Sequence, residues 1–410
     1  MKVIWLRTAL LNFLLAAIIG VILRYAFVDE VHWLKYKNFQ FAHSHVAMLG
    51  WVYMALYSLF IAAFLRPEQQ EAKDYQRLFW LSQVSVAGML ISFPIQGYGA
   101  VSIAFSTLHI IAAYLFVCRF WRDTRVGSDF SHRMARTALM WMVFSTLGVW
   151  VLGPIMVTSL RRSELYYMAV QFFLHFQFNG WFIFGILALF FRWLESKGIQ
   201  LNAKQQSRFY WLLVVATFLT FALAVAWSEP HPPVFAANSI GVLIQLAALW
   251  VLRAQVTPVL PQVKANMETW AFRVWQISLL AYILKVLIQA SVAIPAVATM
   301  AYTIRNFVIG FVHLMMLGVI STFLFTYFDQ CIAGWHRTRL SRAGVAVFVT
   351  GILLSELLLF VQGTSFWIRL GFIPFYHEAL FGVSLLLPLG IALTLAGQFS
   401  RGKPGDWVEA

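Results

Sequence analysis

The sequence predicts an all-α, polytopic membrane protein with twelve transmembrane helices. Of its 410 residues, 61% are hydrophobic and only 11% are charged, whereas soluble domains carry about 25% charged residues. The apolar segments are long and continuous rather than alternating, which indicates helices and excludes a barrel. The mean hydropathy of +0.76 agrees with this class.

Twelve apolar runs are long enough to cross a bilayer as helices. The first run spans rather than serving as a cleavable signal peptide, because no such signal is evident. No linker or low-complexity segment divides the chain, so we predict a single membrane domain, 1–410. The predicted spans 1 to 12 cover residues 4–28, 40–65, 78–96, 99–120, 135–158, 166–193, 208–227, 236–254, 271–293, 301–328, 341–362 and 373–397.

The basic residues indicate the orientation. The termini and the loops after spans 2, 4, 6, 8 and 10, with the span ends beside them, hold 22 of the 30 Lys and Arg residues. The other loops and span ends hold seven, and Lys285 lies well inside span 9. Loops rich in Lys and Arg stay in the cytoplasm. We therefore expect cytoplasmic termini, even-numbered spans that run from outside to inside, and a bacterial-type inner membrane. The net charge of +14 then reflects topology, and we expect no nucleic-acid partner.

Span 2 carries two histidines, His43 and His45, inside an apolar run. A histidine in hydrocarbon costs free energy, because its ring nitrogens lose water and need new partners. Positions two residues apart on a helix face nearly opposite sides. Span 2 could therefore supply ligands to two different sites.

Six of the ten histidines lie in predicted even-numbered spans, each in the first half of its span, which corresponds to the outer half of the membrane. Such an arrangement favours haem or metal ligation over a purely structural role, although a single membrane histidine is more often a helix–helix hydrogen-bond partner. The six are His43, His45, His109, His175, His313 and His377. The other four, for which we expect solvated or surface roles in loops, are His32, His132, His231 and His336.

The histidines also reveal an internal repeat. His45, His175 and His313 lie four spans apart, at separations of 130 and 138 residues. This spacing predicts three four-helix units around a pseudo-threefold axis, roughly 1–130, 131–262 and 263–410. A glycine five residues after the histidine would let a helix or a flat ring approach the backbone. Such glycines are Gly50, Gly180, Gly318 and Gly382, the last after His377.

The chemistry expected of these histidines is ligation. Neutral imidazole on an apolar helix suits an axial bond to haem iron, or a bond to copper. Haem propionates are anionic and pair with basic side chains near the membrane surface. The candidate propionate partners at the outer ends of spans are Arg24, Arg161, Arg162, Arg305 and Arg369.

The architecture resembles the catalytic subunit of haem-copper oxidases, in which spans 2 and 10 hold the low-spin haem and spans 6 and 7 hold copper. The resemblance implies His45, or His43, together with His313 as haem ligands, and His175 as a copper ligand. Span 7 lacks the histidine pair of those oxidases. The stretch from His43-Ser-His45 to Gly50-Trp51 is similar to the HxH, glycine and aromatic pattern of NnrS-type haem- and copper-containing membrane proteins linked to nitric oxide.

We therefore expect a haem-binding membrane protein that handles redox chemistry or a diatomic gas, with nitric oxide as the first substrate to test. A b-type haem is expected between His45 and His313. A second metal site, with copper as a candidate, is expected at His43 and His175. The reserve ligands are His109 and His377.

Electrons would come from a separate redox protein or a quinol, because the chain has no soluble redox domain and no cytochrome c motif. Whether the protein is a haem-dependent oxidoreductase stays open. Two alternatives also stay open. One is a proton-coupled secondary transporter that uses Lys285, Glu356 and Glu378. The other is a degenerate oxidase-like scaffold or assembly subunit that has lost its centre.

Overall fold

The fold class expected from the sequence is confirmed. The computed structural model describes residues 3–161, 163–226, 231–332, 335 and 338–399. Within these residues every regular element is a helix, and twelve helices are long and apolar enough to cross a membrane. The spans keep their numbers and cover Val3–Tyr25, Tyr36–Phe64, Lys73–Gln96, Ala100–Asp123, Phe130–Met156, Glu164–Ser196, Ala203–Ala226, Pro232–Ala265, Thr269–Ser291, Arg305–Gln330, Arg339–Trp367 and Tyr376–Gly397.

Span 10 begins later than its hydropathy predicts. Residues 301–303 belong to a separate short helix, Pro295–Thr303. The extended backbone of Ile304, with φ −83° and ψ 106°, separates this helix from Arg305, where span 10 begins. Hydropathy does not detect such a break, because the residues on both sides of it are apolar.

Spans 2, 6 and 10 form the centre of the molecule. In their most apolar windows 83%, 83% and 56% of the residues are buried, compared with 28–44% in the other nine spans. The three central spans also contact one another in pairs. Trp51 of span 2 donates from Nε1 to Ser321 Oγ of span 10 at 2.8 Å, and Phe60 of span 2 meets Trp181 of span 6 at 5.3 Å between ring centroids. Trp193 of span 6 donates to Gln330 of span 10 at 3.2 Å.

The other nine spans surround this centre, and each of them contacts the next around the ring, either directly or through a residue that flanks it. Small or polar residues inside the spans let the helices approach closely or bond across the interface, and two ion pairs, Arg119–Asp74 and Arg342–Glu268, connect helix ends. The contacts are Asn12–Gln83, Arg119–Asp74, Trp150–Tyr114, Thr137–Tyr210, Gly241–Thr220, Asn238–Val292, Arg342–Glu268, Gly344–Thr394 and Arg7–Gln398.

Each central span widens from α to π geometry directly after a histidine. The π segments are Val46–Tyr53, Phe176–Phe182 and Leu314–Ser321, and they follow His45, His175 and His313. π segments are rare in proteins, and those that do occur lie frequently at functional sites. The repeat that is visible in the sequence therefore has a backbone counterpart, while the grouping into three four-helix units remains a prediction.

The glycines five residues after His45, His175, His313 and His377 are not equivalent. A Cβ at Gly50 would lie 2.9 Å from Val86 of span 3, and a Cβ at Gly180 would lie 2.6 Å from Trp141 of span 5. Among the described residues, nothing lies within 4 Å of a Cβ at Gly382. The close approach expected beside each histidine is confirmed at Gly50 and Gly180, and also at Gly318, where a Cβ would lie 3.3 Å from that of Ala281 in span 9. It is wrong at Gly382, because that glycine faces open space.

Span 12 offers a matched test of this kind of packing. A Cβ at Gly390 would lie 2.5 Å from the backbone nitrogen of Phe348 in span 11. We expect Gly390→Ala to separate spans 11 and 12 and to lower the free energy of unfolding by about 1–3 kcal/mol. Gly382→Ala, in the same span, should cost nothing, because helical alanine is preferred where there is room. Thermal unfolding in detergent checks this, and equal midpoints for the two variants would contradict it.

Candidate functional site

Span 2 presents its two histidines to different neighbours. Nδ1 of His43 lies 2.8 Å from the carbonyl oxygen of Ala16 in span 1. Nδ1 of His45 lies 2.8 Å from the carbonyl oxygen of Phe41, one turn earlier in its own helix. A carbonyl oxygen only accepts, so each Nδ1 carries the proton and each Nε2 keeps its lone pair. Both Nε2 atoms are therefore suited to bind a metal.

The structure brings His43, rather than His45, to the histidine of span 10. His313 interacts electrostatically with His43 and with Arg24 at the end of span 1. His45 interacts in the same way with His109 of span 4. His43 faces spans 1 and 10, which meet beside span 2 where Phe13 lies 6.4 Å from Phe325 between ring centroids.

The His43 ring packs against the backbone of span 1 at a glycine. A Cβ at Gly20 of span 1 would lie 2.9 Å from Cε1 of His43. A glycine at this position lets the imidazole lie close to span 1, where Nδ1 reaches Ala16. Gly20 and Ala16 lie one helical turn apart, and together they fix the orientation of the ring. We call His43 and His313 the His43–His313 site.

Two of the predicted arginines lie beside the His43–His313 site. Arg24 interacts electrostatically with Arg305, Glu356, Tyr36 and Tyr376. Arg305 is also bonded through Nη2 to the hydroxyl of Tyr36 at 3.5 Å. Two guanidinium groups for one carboxyl leave an excess of positive charge, which favours an anionic group at this position. We call Arg24, Arg305, Glu356, Tyr36 and Tyr376 the arginine cluster.

The other arginines predicted to bind propionates lie elsewhere. Arg161 is exposed in the turn after span 5, and Arg369 is exposed after span 11 with a left-handed φ of 64°. Neither is among the charged groups that interact with Arg24 or His313. Arg162 lies outside the described residues.

His175 belongs to a separate polar network between spans 6, 7 and 9. Its Nε2 lies 2.8 Å from the carbonyl oxygen of Thr217, and its Nδ1 lies 3.5 Å from Nδ2 of Asn179. Asn179 in turn accepts from Nζ of Lys285 at 2.7 Å. Both nitrogens of His175 thus have protein partners. A metal bond at His175 would require one of these partners to move.

This network predicts a coupled effect on stability. Lys285 is 1% exposed, so Asn179→Leu would leave its amino group buried without the oxygen that now accepts from it. We expect this variant to lose about 1–3 kcal/mol of unfolding free energy. Adding Lys285→Met should restore much of the loss, because the unpaired group is then removed. Unfolding curves of the two single variants and the double variant measure the coupling, and simple additivity would contradict it.

The two reserve histidines differ in their surroundings. His109 is 3% exposed, and its ring lies edge-on to Tyr53 with 4.5 Å between centroids. Its Nε2 has no hydrogen-bond partner in the part of the chain that the structure describes. His377 is half-buried at the start of span 12 and stacks on Phe27 at 5.4 Å. Of the two, only His109 is buried with an unpaired nitrogen.

The histidines come together in pairs rather than in larger groups. Within the described ranges, no three His, Cys, Asp or Glu side chains are placed so as to hold one metal ion. Two imidazoles from two helices are the protein ligands of a bis-histidine haem. The pairs at His43 and His313, and at His45 and His109, are therefore the candidate sites.

One of the four histidines expected in loops lies in a helix instead, so that expectation was wrong. His132 was expected to be solvated in a loop, but it lies in the first turn of span 5 and is buried. Its ring packs edge-on against Phe64 at 5.1 Å, because span 5 begins earlier than the hydropathy predicted. His336 lies outside the described residues.

The sequence did not identify Gly20 or Tyr36 as parts of the site. Neither has a spacing that relates it to a histidine, and their role follows only from how span 1 packs on span 2. Glu356 did give a signal, since a carboxyl inside a span is costly and usually functional. No protein-family model matches this chain, and no curated protein matches it either.

Proposed function

We propose that this protein binds a b-type haem between spans 2 and 10, and that His43 and His313 would hold its iron. The observation that carries this proposal is the placement of the His43 ring, which Ala16 and Gly20 fix on one side of central span 2, with His313 of central span 10 close enough to interact with it electrostatically. The His43 ring is oriented by Ala16, which leaves the Nε2 lone pair available. Neutral imidazole nitrogens of this kind bind haem iron.

The arginine cluster would hold the haem propionates. Arg24 and Arg305 supply the guanidinium groups, which bind carboxylates with charge-assisted hydrogen bonds. Tyr36 already contacts Arg305, and Tyr376 accepts from Nδ2 of Asn306 at 2.7 Å, so the surrounding side chains are held in place. Glu356 lies near Arg24, and its carboxyl limits how much negative charge this cluster accepts.

In this proposal the protein handles electrons or a diatomic gas, as in the haem-copper oxidase-like superfamily and the NnrS-type proteins that the sequence resembles. One-electron chemistry and gas binding are what a haem supplies when bound. The chain itself supplies the ligands, the orientation and a buried apolar surrounding. Electrons would come from a partner protein or a quinol in the plasma membrane, and copper is a further candidate cofactor.

Nitric oxide is the first gas to test. Because two histidines would hold the iron, nitric oxide could bind only by taking the place of one of them. We therefore expect the reduced protein, purified in detergent without oxygen, to change its visible absorption spectrum when nitric oxide is added in stoichiometric amounts. The same titration on His313→Ala should show no such change if that variant lacks haem. A haem-loaded wild type whose spectrum does not respond would leave electron transfer as the function and would contradict gas handling.

One observation favours a second candidate, a proton-coupled transporter. Lys285 and the carboxyl of Glu356 are both buried within spans, and intramembrane ionisable groups often mark transport pathways. Glu378, the third residue of that hypothesis, is exposed in the first turn of span 12. Counterflow of a solute by haem-free protein in liposomes would support transport, and loss of that counterflow in Lys285→Met would tie it to this residue.

A further inference from the structure

His45 faces away from the His43–His313 site and toward spans 3 and 4. Its ring centroid lies 4.3 Å from that of Phe93 and 5.9 Å from that of Tyr98. The hydrogen bond from its Nδ1 to Phe41 keeps a lone pair on Nε2. His45 therefore has a ring nitrogen available to bind a metal, although its neighbours are apolar and aromatic.

His109 is the partner that the fold gives to His45. It is nine-tenths or more buried, and its Nε2 has no hydrogen-bond partner within the described residues. Leaving a buried polar atom unsatisfied costs about 1–3 kcal/mol, which a bound ligand would offset. Phe93, whose ring touches His45, and Met89, which accepts from Ser106 on the span of His109, connect the two histidines through spans 3 and 4, and the imidazoles are close enough to interact electrostatically. They thus form a second pair, on the opposite side of span 2 from the first.

The charges around this second pair differ from those around the first. The rings that contact this second pair are aromatic, namely Phe93 and Tyr98 at His45 and Tyr53 at His109. Among the described residues, Arg24 and Arg305, which would hold haem propionates, lie at the other pair. A small cation therefore fits this pair better than a haem does.

Met89 of span 3 adds a soft donor on the same side. It is fully buried, and it lies one turn before Phe93, whose ring touches His45. Its sulfur accepts from the hydroxyl of Ser106 at 3.3 Å, and Ser106 lies one turn before His109 on span 4. The thioether is thus placed between the levels of the two histidines.

We propose that His45 and His109 bind a copper(I) ion through their Nε2 atoms, with the Met89 sulfur as a third donor. Imidazole suits copper, and a thioether selects the monovalent ion. A single charge is also the least costly to bury among apolar and aromatic side chains, because the Born energy rises with the square of the charge. This site differs from the copper site that the sequence suggested at His43 and His175.

The test measures copper in the full-length protein. Purified protein in detergent is incubated without oxygen with ascorbate-reduced copper, dialysed and analysed by mass spectrometry for copper, and its affinity is measured by competition with bicinchoninate. We expect about one tightly bound copper per wild-type chain. His45→Ala and His109→Ala should each lower the affinity at least about tenfold, and Met89→Leu should lower it less.

Matched controls separate ligation from folding. His377→Ala removes another membrane histidine, and Met134→Leu changes another buried methionine; both should keep the wild-type affinity. X-ray absorption of the copper-loaded wild type should show nitrogen neighbours, with a sulfur contribution that disappears in Met89→Leu. Copper binding in the wild type no tighter than in a His45→Ala, His109→Ala double variant would overturn the proposal.

Copper and haem are read out separately, so the two proposals fail separately. A wild type that binds haem but no copper would overturn only the copper site. A wild type that binds copper but no haem would support the copper site and overturn only the haem proposal. Loss of haem with retention of copper in His45→Ala would also overturn the copper proposal, since it would assign His45 to the haem.

Discussion

Replacement of His313 by alanine should abolish haem binding. In the proposed site this residue supplies one of two axial nitrogens, and the described structure places no second histidine of span 10 nearby. We expect the Soret absorbance per protein to fall at least about tenfold, because loss of a bond to the metal exceeds the 10–100-fold loss typical of outer partners. His43→Ala should have the same effect.

The matched control for this prediction is His377→Ala. His377 also lies in the first half of an even-numbered span, but its ring stacks on Phe27 rather than facing the His43–His313 site. The His377→Ala variant should keep the Soret absorbance of the wild type. Size-exclusion profiles confirm that each variant is folded, and a folded His313→Ala protein with full haem content would contradict the ligand assignment.

Substitution of Gly20 by valine should remove haem almost as effectively, although Gly20 has no side chain that could bind it. A Cβ there would already lie 2.9 Å from Cε1 of His43. The branched side chain must displace the ring and break its hydrogen bond to Ala16. We expect a loss of haem of about tenfold or more, measured by pyridine haemochrome, and a changed axial-ligand signal in any haem that remains.

This variant distinguishes the two histidines of span 2. Gly20 touches His43, whereas His45 lies against Phe93 and Tyr98. If His45 were the haem ligand, as the sequence led us to expect, Gly20→Val would keep its haem and His45→Ala would lose it. Gly153→Ala, at a position with nothing within 4 Å among the described residues, is the control for an added Cβ in a span.

The twelve helices could be predicted because burial of apolar length in a bilayer dominates every local preference. Details that depend on backbone geometry could not be predicted. The break at Ile304 is one example, since it interrupts an apolar run without changing its hydropathy. The π segments after His45, His175 and His313 are another, because their wider turn has no signature in an apolar sequence.

Part of the candidate site could also be predicted. The two-residue spacing of His43 and His45 established that they face different neighbours. It did not establish which of them faces span 10, because that depends on how span 2 is rotated about its axis. The rotation is set by packing against Gly20 and Ala16 of span 1, and only the folded structure shows those contacts.

The environment of His175 shows a different limit. Its position on a central span and its place in the repeat predicted a metal ligand. The structure satisfies both ring nitrogens with Thr217 and Asn179, and it connects Asn179 to Lys285. Asn179 lies one helical turn after His175, but the sequence does not show that it bridges to span 9. A polar side chain one turn from a membrane histidine is therefore as informative about the role of that histidine as the histidine's own position.

The haem content of the full-length wild type tests the proposed haem site most directly. The protein is purified from cells supplied with haem and is assayed by pyridine haemochrome together with iron analysis. We expect about one b-type haem per chain, a Soret band, and a reduced-minus-oxidised difference spectrum typical of two histidine ligands. A folded protein that is colourless and free of iron would contradict haem binding at His43 and His313.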